Sequence, residues 1–256
     1  MHVLGHASVG HGRRTLIVMN DWLCDTSTWD TARPYLDTRE LTWVFADLRG
    51  YGRSREMRGD YDLLEAAADV LALADALGAD RFTIVGHSMS SLVALRLAQE
   101  APARVSRAVV ITPPPPQGFG ADETALAGMH ALARTDDEKR LAWWLSRLDG
   151  RLSAQWARHK VERWRATSDV EAFAAYAAMF ARDGLPPSAS RITCPVLAVT
   201  GEHDAEVMRR ESVTRLLTPL CDSLTVQALT DSGHYPMQEM PPRLVNVIER
   251  FVTAGG

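Results

Sequence analysis

A chain of 256 residues, 46% hydrophobic and 23% charged, has ordinary globular composition and can bury roughly 70–75% of its unfolded surface. Its formal net charge of −4 offers no basic field for nucleic acid, and the pairs Arg13-Arg14 and Arg209-Arg210 read as isolated solvated surface. Cys24, Cys194 and Cys221 are odd in number and widely spaced with no C-x-x-C, which argues against a disulfide framework or a thiolate metal site and for a reducing compartment.

Met1 to His6 lacks a basic segment followed by a long apolar one, and no apolar run approaches the ~20 residues that span a bilayer. The expectation is a cytoplasmic protein with neither a membrane nor a nucleic-acid partner. His2 to Gly12 suits one or two short edge strands. His2, His6 and His11 have no carboxylates beside them and so do not make a metal site. Thr15 to Met19 is the first clear buried strand, followed by the loop Asn20 to Asp25 and a short helix over Ser27 to Leu36. Thr42 to Ala46 is the second, followed by Asp47-Leu-Arg-Gly-Tyr-Gly-Arg-Ser54. Tyr61 to Leu77 reads as a helix closed by Gly78. Phe82 to Val85 is a third strand, Ser91 to Ala98 a helix, and Val105 to Ile111 a fourth strand. Such alternation specifies a mostly parallel, doubly wound α/β sheet with ligands beyond the carboxyl ends of its strands, where Trp22, Asp47 and Ser88 fall.

Four prolines, Pro113 to Pro116, take the chain out of the sheet. Helical periodicity then covers Glu123 to Ala133, Asp136 to Leu148, Ser153 to Arg165 and Asp169 to Ala181, until Pro186-Pro187. We read 113–190 as a helical cap inserted into a core formed by 1–112 and 191–256. One face of such a cap must look down on the site, and Trp22, Trp143, Trp144, Tyr176 and Phe180 are expected to bind a small, largely apolar substrate. The sheet resumes at Cys194 to Thr200, then Gly201-Glu-His-Asp204, a helix near Val207 to Leu217, a strand at Ser223 to Leu229, the loop Thr230 to Pro236 and a last helix, Pro242 to Phe251.

Gly86-His-Ser-Met-Ser90 lies at a strand-to-helix junction, where a sharp turn projects a serine hydroxyl above the sheet beside the first amides of the helix. Ser88, Asp204 and His234 then lie, in that order, on loops after three buried strands. With Asp47 to Ser54 and Ser232-Gly-His234, these motifs resemble the α/β-hydrolase superfamily over nearly the whole chain. The resemblance implies Ser88 as nucleophile, His234 as its base and Asp204 as the acid that orients the imidazole. It places the oxyanion hole at the backbone N–H groups of Met89 and Trp22. Glu202 is a rival acid, but the family position matches Asp204. His87 and His203 read as structural or rim residues. Two departures stand out. Asn20-Asp21 replaces the usual His-Gly, which brings a carboxylate near the oxyanion hole, and Ser90-Ser91 stands where glycines are common.

The reading is a serine hydrolase of a carboxylic ester or lactone, acting through an acyl-enzyme on Ser88 without metal or organic cofactor. The same triad also serves C–C bond hydrolases, thioesterases, amidases and perhydrolases. Dehalogenases and epoxide hydrolases of this superfamily call for Asp at the Ser88 position. Trp22-Leu-Cys-Asp25 also resembles the loop of cofactor-independent ring-cleaving dioxygenases. Their acid follows the strand ending here at Ile111, where this chain has Thr112-Pro113. A non-catalytic ligand-binding protein is the third class. The sequence leaves substrate identity and oligomeric state open.

Overall fold

The computed structural model describes residues 3–148, 150–187 and 190–254; His2 lies outside them. The strands are β1 (His6–Val9), β2 (Arg14–Met19), β3 (Leu41–Ala46), β4 (Phe82–His87), β5 (Val105–Ile111), β6 (Val196–Gly201) and β7 (Leu224–Leu229), in the spatial order β1-β3-β2-β4-β5-β6-β7. Every neighbouring pair is parallel except β1, which closes one edge antiparallel to β3, pairing His6 with Ala46. The inner strands carry mostly apolar runs for a physical reason. β4 and β6 are buried along their whole length, so no residue can alternate outward to water. This is the mostly parallel sheet with flanking helices that the alternating pattern specifies.

Helix α1 (Leu63–Ala76) starts where the Asp62 side chain accepts from the Glu65 amide, two residues later than the periodicity suggests, because Tyr61 turns at φ 53°. Helix α2 (Ser90–Glu100) packs on β4 and β5. Between β5 and β6 lie α3 (Glu123–Ala133), α4 (Asp137–Leu148), α5 (Ala154–Thr167) and α6 (Val170–Ala178), the last running into a π-helical turn, Met179–Asp183. Asp122, Ser153 and Asp169 cap α3, α5 and α6. Within the insertion α3 packs on α6 and α4 on α5. The start of α6 is tied to loops of the sheet: the Asp169 amide donates to Gly50 O at 2.8 Å and Ser168 Oγ to Leu23 O at 3.0 Å.

The chain then forms α7 (Arg210–Leu217), the single turn α8 (Pro236–Glu239) and α9 (Pro241–Thr253). Two expected helices are broken. Instead of one helix over Ser27 to Leu36 there are two 3₁₀ turns, Thr26–Trp29 and Arg33–Tyr35. Pro34 has no N–H to bond back to Asp30, so a continuous α-helix is not available. The helix expected from Val207 is divided because Arg209 is extended, at φ −81° and ψ 167°. No helix among the described residues is long and apolar enough to cross a membrane.

Candidate active site

Ser88 holds φ 52°, in the left-handed region that side chains with a Cβ disfavour. The turn is fixed from both sides. The Ser88 amide donates to Ile111 O on the neighbouring strand at 2.9 Å. A Cβ on Gly86 would stand 2.4 Å from Ser90 O and 2.7 Å from Ser91 Cα, so that position takes only glycine. The two serines found where glycines are common are buried and bonded into the same turn. Ser90 Oγ accepts from the His87 amide at 3.0 Å and donates to His87 O at 3.1 Å; Ser91 Oγ donates to Gly86 O at 3.2 Å. No side chain caps α2; its first turn closes instead on the backbone, the Ser91 amide donating to Ser88 O at 2.9 Å and the Leu92 amide to Met89 O at 3.1 Å.

The loops after β6 and β7 bring the acid and the imidazole together. His234 Nε2 lies 3.0 Å from Ser88 Oγ, and His234 Nδ1 lies 2.8 Å from Asp204 Oδ2. A Cβ on Gly201 would stand 2.1 Å from Gly233 O, so the two loops meet as closely as they do because there is no side chain at Gly201. Burial penalises both charged forms. The opposite charge and hydrogen bond of the pair outweigh it, holding the Asp204 carboxyl below its usual value and His234 above its own. Glu202, the rival acid, is exposed and accepts from the Asp231 amide at 3.3 Å instead. Glu202, His203 and Asp231 bring ligand atoms within 4.8 Å of one another, but all three are exposed, forming a solvated rim cluster beside the pocket.

The loop after β2 carries the other departure. Asn20 is buried and works through both ends of its amide. Its Oδ1 accepts from the Leu48 amide at 2.7 Å and its Nδ2 donates to Asp21 O at 2.7 Å. The Asp21 carboxylate is also buried: Oδ1 accepts from the amides of Leu23 at 2.6 Å and Cys24 at 3.1 Å. Oδ2 faces His87 Nδ1 at 3.5 Å and Lys160 Nζ, from α5, at 4.0 Å. Burial opposes this charge, yet the Lys160 ammonium first, and then the Leu23 amide, keep the carboxyl well below the usual carboxylate range. Trp22 is held at both ends: its carbonyl accepts from Tyr51 Oη at 2.7 Å and its indole donates to Phe173 O at 2.8 Å.

Above Ser88 and His234 opens a cavity of about 960 Å³ whose lining includes Trp22, Trp143, Trp144 and Phe180. Tyr176 is not part of it. It is fully buried on another face of α6, against Tyr51 and Tyr61 at ring-centroid distances of 5.8 and 6.0 Å. The periodicity identifies the helix but not that Phe180, in the π-helical turn after α6, lines the pocket while Tyr176 does not. Residues that sequence reasoning missed include Phe119, Met129, Trp156 and Tyr235 on the wall. Glu239 was missed as well. Its carboxylate accepts from the amides on both sides of His234, Gly233 at 2.8 Å and Tyr235 at 2.9 Å, and pairs with Arg151 from the insertion, Nη1 at 2.8 Å.

The sequence pattern of the α/β hydrolase fold matches residues 26–239. The chain is 25% identical over 265 residues to a pimeloyl-[acyl-carrier protein] methyl ester esterase from Serratia marcescens, covering 99% of this chain and 100% of the other. A 2-heptyl-3-hydroxy-4(1H)-quinolone dioxygenase from Mycobacteroides abscessus is 33% identical over 104 residues, 39% of this chain and 38% of its own length. The chain thus spans about two fifths of the length of that relative. Among solved structures, the enol-lactonase from Burkholderia xenovorans LB400 superposes with a TM-score of 0.80 at 22% identity, covering 98% of this chain and 96% of the other.

Proposed function

The chain belongs to the α/β hydrolase fold family, and on that footing we propose that it is a serine hydrolase cleaving a carboxylic ester or lactone of a small, largely apolar substrate. The observation that carries this reading is the continuous chain of contacts from Ser88 Oγ through His234 to Asp204, at 3.0 and 2.8 Å. His234 takes the Ser88 proton as Oγ attacks the substrate carbonyl, and Asp204 holds the imidazole in the required tautomer and stabilises the imidazolium. The Met89 and Trp22 amides receive the oxyanion. His234 then protonates the leaving alkoxide. Water, deprotonated by the same imidazole, hydrolyses the acyl-enzyme. The helices of 113–190 act as a cap, with Trp143, Trp144 and Phe180 meeting the apolar part of the substrate. Pro114, rather than an acid, lines the pocket after β5.

Labelling with a fluorophosphonate tests the nucleophile. Wild type is expected to label at Ser88, and an unlabelled folded chain with His234 intact defeats the proposal. A chromogenic ester series of increasing acyl length, beside a lactone panel, then ranks substrates.

A second reading is favoured by the local likeness to the quinolone dioxygenase and by the Trp22-Leu-Cys-Asp25 loop. In those enzymes the acid follows the strand ending here at Ile111. The next residue here, Thr112, has φ 44° and its hydroxyl donates to His234 O at 3.2 Å. His234 finds its carboxylate in Asp204 instead, which supports hydrolysis. Turnover that continues undiminished under strictly anaerobic conditions rejects the oxygenase.

A further inference from the structure

The hydrolytic reading makes no use of Lys160, yet this lysine is among the most completely buried large side chains, 1% exposed. A lysine is almost never buried so fully without a partner. Its Nζ makes no hydrogen bond among the described residues. It sits 4.0 Å over the ring of Tyr235, with Trp144 and Trp156 at 5.7 and 5.8 Å. These three rings supply cation–π attraction but no counter-charge. The counter-charge is Asp21 Oδ2, 4.0 Å away and 1% exposed.

Asp21 has a matching need. His87 Nε2 lies 2.8 Å from the His234 carbonyl, which only accepts, so Nε2 carries the proton. Burial pushes His87 towards its neutral form. A neutral ring with its proton on Nε2 has a bare Nδ1, consistent with the 3.5 Å separation from Asp21 and with Nδ1 making no hydrogen bond. Two basic groups thus stand within ion-pair distance of Asp21 Oδ2 among the described residues, a histidine that burial pushes towards its neutral form and Lys160, the one that is a full cation at neutral pH by its ordinary chemistry.

Position gives the pair its consequence. Asp21 lines the same cavity as Ser88 and His234, immediately before Trp22, and its field is among those acting on His234. An uncompensated anion there repels negative charge developing on a substrate oxygen, and a low-dielectric surround magnifies the repulsion. Asp21 cannot simply be dispensed with, because its Oδ1 holds the Leu23 and Cys24 amides that shape the loop.

We propose that Lys160 is a positioning residue of the active site, whose buried ammonium cancels the Asp21 carboxylate so that the loop after β2 keeps its amide anchor without opposing the oxyanion. This rests on the serine-hydrolase reading, through which it acts.

The test uses the full chain as wild type, Lys160→Met, Asp21→Asn and Lys160→Met/Asp21→Asn, each checked for folding by circular dichroism. The readouts are the fluorophosphonate labelling rate, the inhibition constant of phenylboronic acid, whose serine adduct is a tetrahedral anion, and KM for a neutral chromogenic ester. Lys160→Met is expected to label and to bind boronate about 10- to 100-fold more weakly, with KM changed by less than about threefold. The double variant, with both charges gone, is expected to recover boronate affinity to within about fivefold of wild type. Asn keeps an acceptor for the loop amides, so Asp21→Asn alone is expected to hold or tighten boronate binding. This arm stands even where Lys160→Met does not fold.

Wild-type affinity in folded Lys160→Met, no recovery in the double variant, or a loss in Asp21→Asn as large as that in Lys160→Met overturns the charge-cancelling role. An unlabelled wild type overturns the serine-hydrolase reading beneath it. A labelled wild type with an unaffected Lys160→Met overturns this inference alone.

Discussion

Asp204, on the loop after β6, and Asp21, on the loop after β2, are both buried carboxylates lining the pocket, and their partners differ. Asp204 accepts from the Ala205 amide on one oxygen and meets an imidazole at 2.8 Å on the other. Asp21 accepts from backbone amides on one oxygen and, on the other, from the Thr28 hydroxyl at 3.4 Å with a lysine at 4.0 Å. The first arrangement is short, directional and able to pass its influence to Ser88. The second is longer and non-directional: it cancels charge and shapes a loop. Two carboxylates that are both buried and both held below their ordinary range thus differ in what stands opposite them. In the proposed reaction a proton-relaying partner makes one carboxylate part of the chemistry, and in the proposed charge cancellation a fixed cation makes the other part of the scaffold.

The largest expected effects come from breaking the Asp204 side at its far end. Ser88→Ala and His234→Ala should each lower kcat for the best ester by at least about 10³-fold, and the double variant should be little worse, since the members act as a unit. Near-wild-type turnover in either single variant removes the comparison altogether. Asp204→Asn should cost about 10²- to 10⁴-fold in kcat through the wrong imidazole tautomer. Glu202→Gln should stay within about twofold; a worse lesion from Glu202 than from Asp204 reverses the assignment of the acid.

The pH dependence sharpens the contrast further. His234 must be neutral to act as base and is held above its ordinary 6.5, so kcat/KM should rise with pH through a midpoint above that value. Both aspartates are held below their ordinary 3.8. A depressed carboxyl stabilises the fold at pH above its unfolded value and loses that contribution as pH falls through the folded one. Denaturant titrations between about pH 5 and 2 should show wild type losing stability, and Asp21→Asn should lose less across the same interval. At neutral pH the same substitution strands Lys160 and should lower stability by about 3–5 kcal/mol.

The two sides also differ in how far the sequence discloses them. Ser88 and Asp204 follow wholly buried strands, while His234 follows β7, an edge strand of which only Leu229 is buried, a correction to the expectation of three buried strands. Loops at the carboxyl ends of a parallel sheet still converge. Strand order alone therefore brings them together. Ser90 and Ser91, which look like defects in the motif, become intelligible only when their hydroxyls are seen bonded to His87 and Gly86. The insertion is harder to read. A lysine in a helix is ordinarily solvated, and nothing in its neighbours' identities says that this one is buried. The available signal is spacing: Trp156, Lys160 and Trp164 recur every fourth residue, placing the lysine on the aromatic face of α5. Tyr176 shows the opposite failure, an aromatic at helical spacing that fills a junction with Tyr51 and Tyr61 rather than the pocket.

The path of Lys160 bears on how this protein can be engineered. The helices between β5 and β6 look like an exchangeable module, bounded by prolines at either end and joined to the sheet by two strand ends. Yet α5 delivers the cation for an aspartate on the second strand's loop, and Arg151 delivers another for Glu239 beside His234. A chimera that imports a foreign insertion would leave two acids without their cations at the floor of the pocket. Transplants should therefore carry Asp21 and Glu239 as part of the donor set, or neutralise them in the recipient.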